Sequence, residues 1–171
     1  ADFFKMGFVI PLWCDLYINI NEDGSYMWRT PDERFKFVDH PRTQFTDYIP
    51  DEAQKNVSLV LKAYCPWYAK TPKGVSLLQI PMSYNFDQRF SLLPGTIQTD
   101  KYHYLNQQLI IHSKGETFIP KGTPLGTYIP ISREKYNLIV RHETPEDYKL
   151  LEKVRTSIQS KFSGAYRKII S

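Results

Sequence analysis

The sequence predicts a mainly β chain, a barrel or distorted sandwich, with one amphipathic α-helix at its C-terminal end. Three observations carry this. Apolar residues alternate with a period of two through short runs, each bounded by Pro, Gly or a charged turn. Proline outnumbers glycine, 12 against 8, which suits many short strands broken by loops better than a helical bundle. Only beyond residue 143 does the apolar spacing change to three and four. The expected division is a β domain over 1–142 and a helix over 143–171, packed on that domain or on a partner.

Taken in order, Phe8, Ile10, Leu12, Cys14, Leu16, Ile18 and Ile20 alternate without a miss. They lie on one face of a single strand, or of two strands bent at Pro11. Glu22-Asp23-Gly24-Ser25 is a turn, and Tyr26-Met27-Trp28 returns as a hairpin. Residues 30–55 read as a long loop around a short strand at Phe35 to Val38. Val57, Leu59, Leu61 and Ala63 alternate again. Strands follow at Val75–Ile80, Gly95–Thr99, Gln108–His112, Thr117–Ile119 and Leu125–Ile131, with Ser113-Lys114-Gly115-Glu116 as a hairpin between two of them. Thr144-Pro145-Glu146-Asp147 then opens a helix, with Thr as N-cap, Pro at the first position and acids in the first turn. Its stripe is Tyr148, Leu151, Val154, Ile158, Phe162, Ala165 and Ile169, with Gly164 weakening the last turn.

Composition bounds the class. At 171 residues the chain is long enough for one core without disulfides or metal. Aromatics at 15% exclude a disordered tail, and no apolar run reaches the ~18–20 residues of a membrane helix. The net charge of +4 is uneven: residues 1–132 hold 13 basic and 13 acidic residues, and residues 133–171 hold 9 and 5. Lys153, Arg155, Lys161, Arg167 and Lys168 follow one another with no acid among them. They read either as a nucleic-acid or capsid-facing arm or as the basic end of a helix matching its dipole. Cys14 and Cys65 lack metal-ligand spacing and read as reduced, half-buried thiols of an intracellular protein. No signal peptide is legible, and the start at Ala1 suggests residues missing upstream.

Few motifs carry chemistry. His40, His103, His112 and His142 are scattered, and Asp100 with His103 and His112 makes only a distorted half of an iron facial triad, so no metal site is expected. Neither a nucleophile elbow nor a phosphate-binding glycine loop is present. Trp67-Tyr68, followed by Lys70 and Lys73 and joined by Trp13, Tyr17 and Trp28, interleaves rings and bases as a single-strand nucleic-acid platform does. The same adjacency serves core and edge packing in a β domain.

The most informative stretch runs from Pro94-Gly95-Thr96-Ile97-Gln98-Thr99-Asp100 to Ile119-Pro120-Lys121-Gly122-Thr123-Pro124-Leu125-Gly126. It resembles the dUTPase and dCTP-deaminase β-barrel, the β-clip fold, in which a Gly-Val-Ile-Asp type motif precedes a strand, a hairpin and an Ile-x-x-Gly-x-x-Ile-Ala segment. Ile119, Gly122, Leu125 and Gly126 fall at the matching positions, and the interval from Gly95 to Gly122 has the family's length. Cys14-Asp15-Leu16-Tyr17 looks like the family's Gly-x-Asp-Leu strand. Thr71-Pro72-Lys73-Gly74-Val75-Ser76-Leu77 could occupy its phosphate-contacting segment. The specific part covers about a fifth of the chain.

The departures from that pattern bear on function. The family's water-activating carboxylate falls on Gln98, an amide that cannot deprotonate water. Its stacking aromatic falls on Lys101, its Arg-Ser phosphate grip becomes Lys73 with Ser76, and its Gly-rich lid gives way to the C-terminal helix. Asp100 is the one stand-in base, two residues along. The opening run from Ala1 to Leu16, with Pro66 to Gly74, is similar to uncharacterised proteins of large tailed and marine bacteriophages.

Together these imply a catalytically silent phage structural or protein-interaction module on a dUTPase-like scaffold. Its partners would be other protein subunits, in a homo-oligomer or a virion, and it would need no cofactor. It would reside in the virion or the cytoplasm of the infected host, neither secreted nor membrane-spanning. One alternative is a nucleotide-binding protein or nucleotide pyrophosphohydrolase using Asp100, Gln98, Lys73 and Ser76, the only reading that brings in Mg2+. The other is a single-stranded nucleic-acid binder using Trp67, Tyr68 and the basic helix.

Overall fold

A computed structural model describes residues 5–41 and 46–159. The chain divides into two compact units, Ala1–Glu134 and Lys135–Ser171. In the first, eleven strands are described: β1 (Phe8–Pro11), β2 (Leu16–Ile20), β3 (Tyr26–Arg29), β4 (Phe37–Asp39), β5 (Leu59–Tyr68), β6 (Val75–Pro81), β7 (Phe90–Leu92), β8 (Gly95–Ile97), β9 (Tyr104–Ile111), β10 (Gly115–Ile119) and β11 (Pro124–Ser132). They form three antiparallel sheets, in the orders β1-β11-β6-β8, β10-β2-β3 and β4-β5-β9-β7. All are open, so the mainly β expectation holds and a closed barrel does not form. One continuous core receives side chains from all three, among them Leu16, Phe37, Leu61, Leu77, Leu109, Ile119 and Tyr128.

The alternating run at the start of the chain is two strands in two sheets. The crossing at Leu12–Asp15 is pinned by Leu12 N–H donating to Thr123 O (2.8 Å) and Gly122 N–H donating to Leu12 O (2.7 Å). Gly122 has φ +87°, a left-handed conformation in which a Cβ is strained. Six of the seven alternating residues are buried; Phe8 is 43% exposed and stacks on Tyr128 (centroids 5.6 Å apart).

The turn at Ser113–Glu116 is not a hairpin. β9 belongs to one sheet, and β10 pairs only with β2 in another, so the chain changes sheet there. Periodicity reports which face of a strand is buried and is silent on its neighbour. β7 is too short for periodicity to find, yet Phe90 and Leu92 are both buried.

β5 runs past Ala63 to Tyr68 through a bulge. Its pairing with β9 goes from Tyr64↔Asn106 directly to Tyr68↔Tyr104, which places Pro66 where its missing N–H costs no ladder bond. The segment read as loop between β4 and β5 contains a 3-10 turn (Thr46–Tyr48) and a one-turn helix α1 (Asp51–Gln54). Ile49 and Val57 from this segment pack with Val60 of β5 and Ile110 of β9 as a second small core.

A buried polar link joins two sheets. The hydroxyl of Tyr128 (β11) donates to Oε1 of Gln79 (β6) at 2.7 Å and accepts from Nε2 of Gln107 (β9) at 2.9 Å. Gln79 Nε2 in turn donates to Leu93 O at 2.7 Å.

The second unit contains α2 (Pro145–Gln159). Thr144 caps it as its sequence predicts. Asp147 N–H donates to Thr144 Oγ1 (3.2 Å), and Thr144 N–H donates to Asp147 Oδ2 (2.8 Å), a reciprocal capping box. Among the described residues no helix is long and apolar enough to cross a membrane.

Candidate functional site

The two segments singled out around Lys73 and Asp100 do converge. Thr71 Oγ1 lies 2.8 Å from Thr99 Oγ1. Gly74, at φ +84°, turns its N–H toward Asp100 Oδ2 at 3.0 Å. What the sequence did not reveal is the third participant, Arg133, immediately after β11. Its NH1 donates to Asp100 Oδ1 (2.9 Å) and to Ser76 Oγ (2.8 Å), and its NH2 donates to Asp100 Oδ2. Arg133 is also tied by its own N–H to Gly74 O (2.8 Å).

This geometry decides what each candidate can do. The side chain of Asp100 is 5% exposed, and both its oxygens accept charged or backbone donors. Arg133 first, and then the Gly74 N–H, hold its carboxyl well below the usual carboxylate range. A carboxylate so held is a weak base. Ser76 is buried, and its hydroxyl faces the same guanidinium. Lys73 and Gln98 are exposed on the adjoining turns, and the Gln98 carbonyl closes its turn by accepting from Lys101 and Tyr102 N–H (2.9 and 2.8 Å). The cluster is therefore an ion pair that staples three chain segments.

The histidines are separately engaged. His103 Nδ1 lies 2.7 Å from Thr99 O, while His112 sits between Ser91 Oγ (2.7 Å from Nε2) and Asn56 O (3.1 Å from Nδ1). Among the described residues no group of three His, Cys, Asp or Glu is placed to hold a metal.

The proposed ring platform separates into three parts. Trp13 is buried and stacks on Phe37 (6.2 Å), and Trp67 meets it edge-on (5.8 Å), while Trp28 meets Phe37 at 5.5 Å. These rings are core and its margin. Tyr17 lies on the outer face of β2, stacked on Phe118 of β10 (4.5 Å), with the Arg29 guanidinium 4.8 Å above its ring. With Met27, 67% exposed, these residues line a cleft of about 580 Å3 on the outer face of the β10-β2-β3 sheet.

Tyr68 alone joins a third set, packing against Tyr104 (4.9 Å), which in turn meets Tyr102 (5.4 Å). All three are about half exposed or more. Tyr102 and Tyr104 were missed because an isolated Tyr carries no signal until its neighbour in space is known.

Of the basic residues on the C-terminal segment, Lys153 is exposed and Arg155 lies 3.4 Å from Glu152. Lys161, Arg167 and Lys168 lie outside the described residues, as do Phe162 and the rest of the stripe beyond it. No family model, no curated protein and no solved structure matches the chain.

Proposed function

We propose that the chain is a non-catalytic interaction module, a phage structural subunit on a dUTPase-like scaffold that associates with other protein subunits. The engagement of Asp100 by Arg133 and Gly74 carries this reading. The one carboxylate near the family's catalytic position is consumed by Arg133 and Gly74, and Gln98 supplies no base in its place. The phage source and the scaffold rest on the sequence resemblances. Association is supported by the cleft on the β10-β2-β3 sheet, where Tyr17, Phe118 and Met27 expose apolar surface beside the Arg29 charge.

The test is incubation of the pure protein with dUTP and dCTP in the presence of Mg2+, assayed for pyrophosphate. No turnover is expected. Turnover abolished by Asp100→Asn overturns the reading in favour of a nucleotide pyrophosphohydrolase. Light scattering on the same preparation is expected to give an oligomer that Phe118→Asp weakens.

A further inference from the structure

We infer that the outer face of the β4-β5-β9-β7 sheet, at its Tyr68–Tyr104 end, binds single-stranded nucleic acid. The inference adds a ligand to the interaction module proposed above and rests on that reading for the chain being a binding protein.

The two ends of this outer face differ. At one end Val60 and Ile110 are covered by Ile49 and Val57 from the segment preceding β5. At the other end several described side chains are exposed, and β5 and β9 stay paired there on both sides of the bulge between Tyr64 and Tyr68. Register places Lys62 opposite Gln108, Tyr64 opposite Asn106 and Tyr68 opposite Tyr104. The Ala69 N–H bond to His103 O (3.0 Å) continues that register by one residue. Ala69 packs toward the core, so the next pair outward is Lys70 with Tyr102.

The outward pairs therefore read Lys62, Tyr64 and Tyr68 on β5 with Lys70 just beyond it, facing Gln108, Asn106 and Tyr104 on β9 with Tyr102 just before it. The tyrosines remain in the open: Tyr68 is 66% exposed, Tyr102 50%, Tyr104 49% and Tyr64 44%. Lys62 Nζ stands 5.2 Å from the Tyr64 ring centroid.

Charge selects the ligand. No Asp or Glu occurs in residues 53–86 or 101–115, the two stretches that contain β5 and β9. Among the nearby acids, Asp100 is paired with Arg133 and Asp87 with Arg89, and Asp39 of β4 stands opposite Leu61, an inward-facing position. Lys62 and Lys70 therefore lie in an acid-free stretch beside exposed rings, with Asn106 Nδ2 donating to the Tyr102 hydroxyl (2.9 Å). Phosphates satisfy the lysines, and unpaired bases offer flat faces to the tyrosines. A paired duplex hides those faces, and a neutral sugar leaves the lysines without a counter-charge.

The test uses the full chain and a fluorescein-labelled 20-mer of oligo-dT, followed by anisotropy. Wild type is expected to bind, with affinity falling roughly 15- to 20-fold between 50 and 200 mM salt if about three phosphates are contacted. Tyr104→Ala is expected to weaken binding by roughly 5- to 150-fold, Tyr104→Phe to retain it, and Tyr48→Ala on the exposed 3-10 turn to leave it unchanged. The circular-dichroism melt of Tyr104→Ala should match wild type, which separates lost stacking from lost fold.

Absence of wild-type binding overturns the inference. So does binding that Tyr104→Ala leaves intact, or that heparin and duplex DNA compete for as well as oligo-dT. Each of these leaves the nucleotide-turnover and light-scattering results standing, so this inference and the reading beneath it fail separately.

Discussion

Arg133 grips Asp100 with both ends of its guanidinium while its own N–H is held by Gly74 O, so one ion pair fastens the ends of β11 and β6 to the turn after β8. The carboxylate is 5% exposed and the arginine 28%. Removing the arginine strands a buried charge, whereas replacing Asp100 with Asn keeps the shape and an acceptor.

Arg133→Met is therefore expected to lower the melting temperature by several degrees, and Asp100→Asn by less. Because the folded Asp100 ionises well below its unfolded value, its contribution is fully present above about pH 5, begins to fall as pH drops past the unfolded value of about 3.9, and is lost progressively down to the folded value. Asp32, lowered to about 2 by Arg34, titrates in the same direction, so the informative quantity is a difference. The stability gap between wild type and Asp100→Asn, measured by urea unfolding, should be larger at pH 7 than at pH 3. A gap that does not change with pH would show the ion pair to be energetically silent.

Tyr128 makes a second prediction. It is fully buried, and its hydroxyl links the side-chain amides of Gln79 and Gln107. Tyr128→Phe keeps the ring against Phe8 and removes partners from two buried groups at once. Gln107 Oε1 is already without a partner, so the site has no slack to absorb the loss. The expected cost is about 1–3 kcal/mol in urea unfolding, with the near-ultraviolet spectrum otherwise native.

Gly126 and Gly7 permit close approach for different reasons, and they separate experimentally. A Cβ on Gly126 would meet Leu92 Cδ2 at 2.1 Å and Ile80 O at 2.9 Å, so most of the clash is with a side chain. One on Gly7 would meet Tyr128 O at 2.1 Å, which is backbone. Gly126→Ala is expected to destabilise by about 1–3 kcal/mol. The double variant with Leu92→Ala should lose less than the sum of the single losses. Gly7→Ala meets backbone first and Ile129 Cγ1 only at 3.1 Å, so it should be harder to rescue by any single neighbour. Additive losses for Gly126 and Leu92 would contradict the contact.

These particulars mark what the sequence could and could not disclose. The inward faces were legible because burial imposes a period of two: Leu59, Leu61 and Ala63 point inward as their spacing requires. The helix start at Thr144 was legible because a capping box is written within four residues. Sheet partnership was not, since nothing local in Ser113–Glu116 states that β10 will pair with β2. For the candidate site, the Lys73 and Asp100 segments were found by resemblance, but Arg133 was invisible, lying 33 residues from its partner. Tyr68 was noticed beside Trp67, yet the two rings serve different surfaces. Their true neighbours, Tyr104 of β9 and Trp13 of the crossing between β1 and β2, are distant in sequence.

The cysteines supply the last prediction. Cys14 and Cys65 are both free and buried, and burial is the leading reason each thiol is pushed up to about 11. For Cys14 the charges of Asp15 and Asp32 add to that effect. The thiolate is the reactive species, so at pH 8 neither residue offers an appreciable nucleophile in the folded state. Native protein should react with a disulfide reagent such as Ellman's at a small fraction of the rate seen in 6 M guanidinium, where both thiols should titrate fully. The same shift has a stability consequence with a definite sign. An unfolded thiol ionises near pH 8.5 while the folded one stays protonated to about 11, so folded stability is retained below that lower value and eroded as pH rises between the two. Cys14→Ser and Cys65→Ser, melted at pH 7 and pH 10, should each fall off less with pH than wild type. Rapid labelling of the native protein at pH 8 would instead place a thiol at the surface and remove the basis for both expectations.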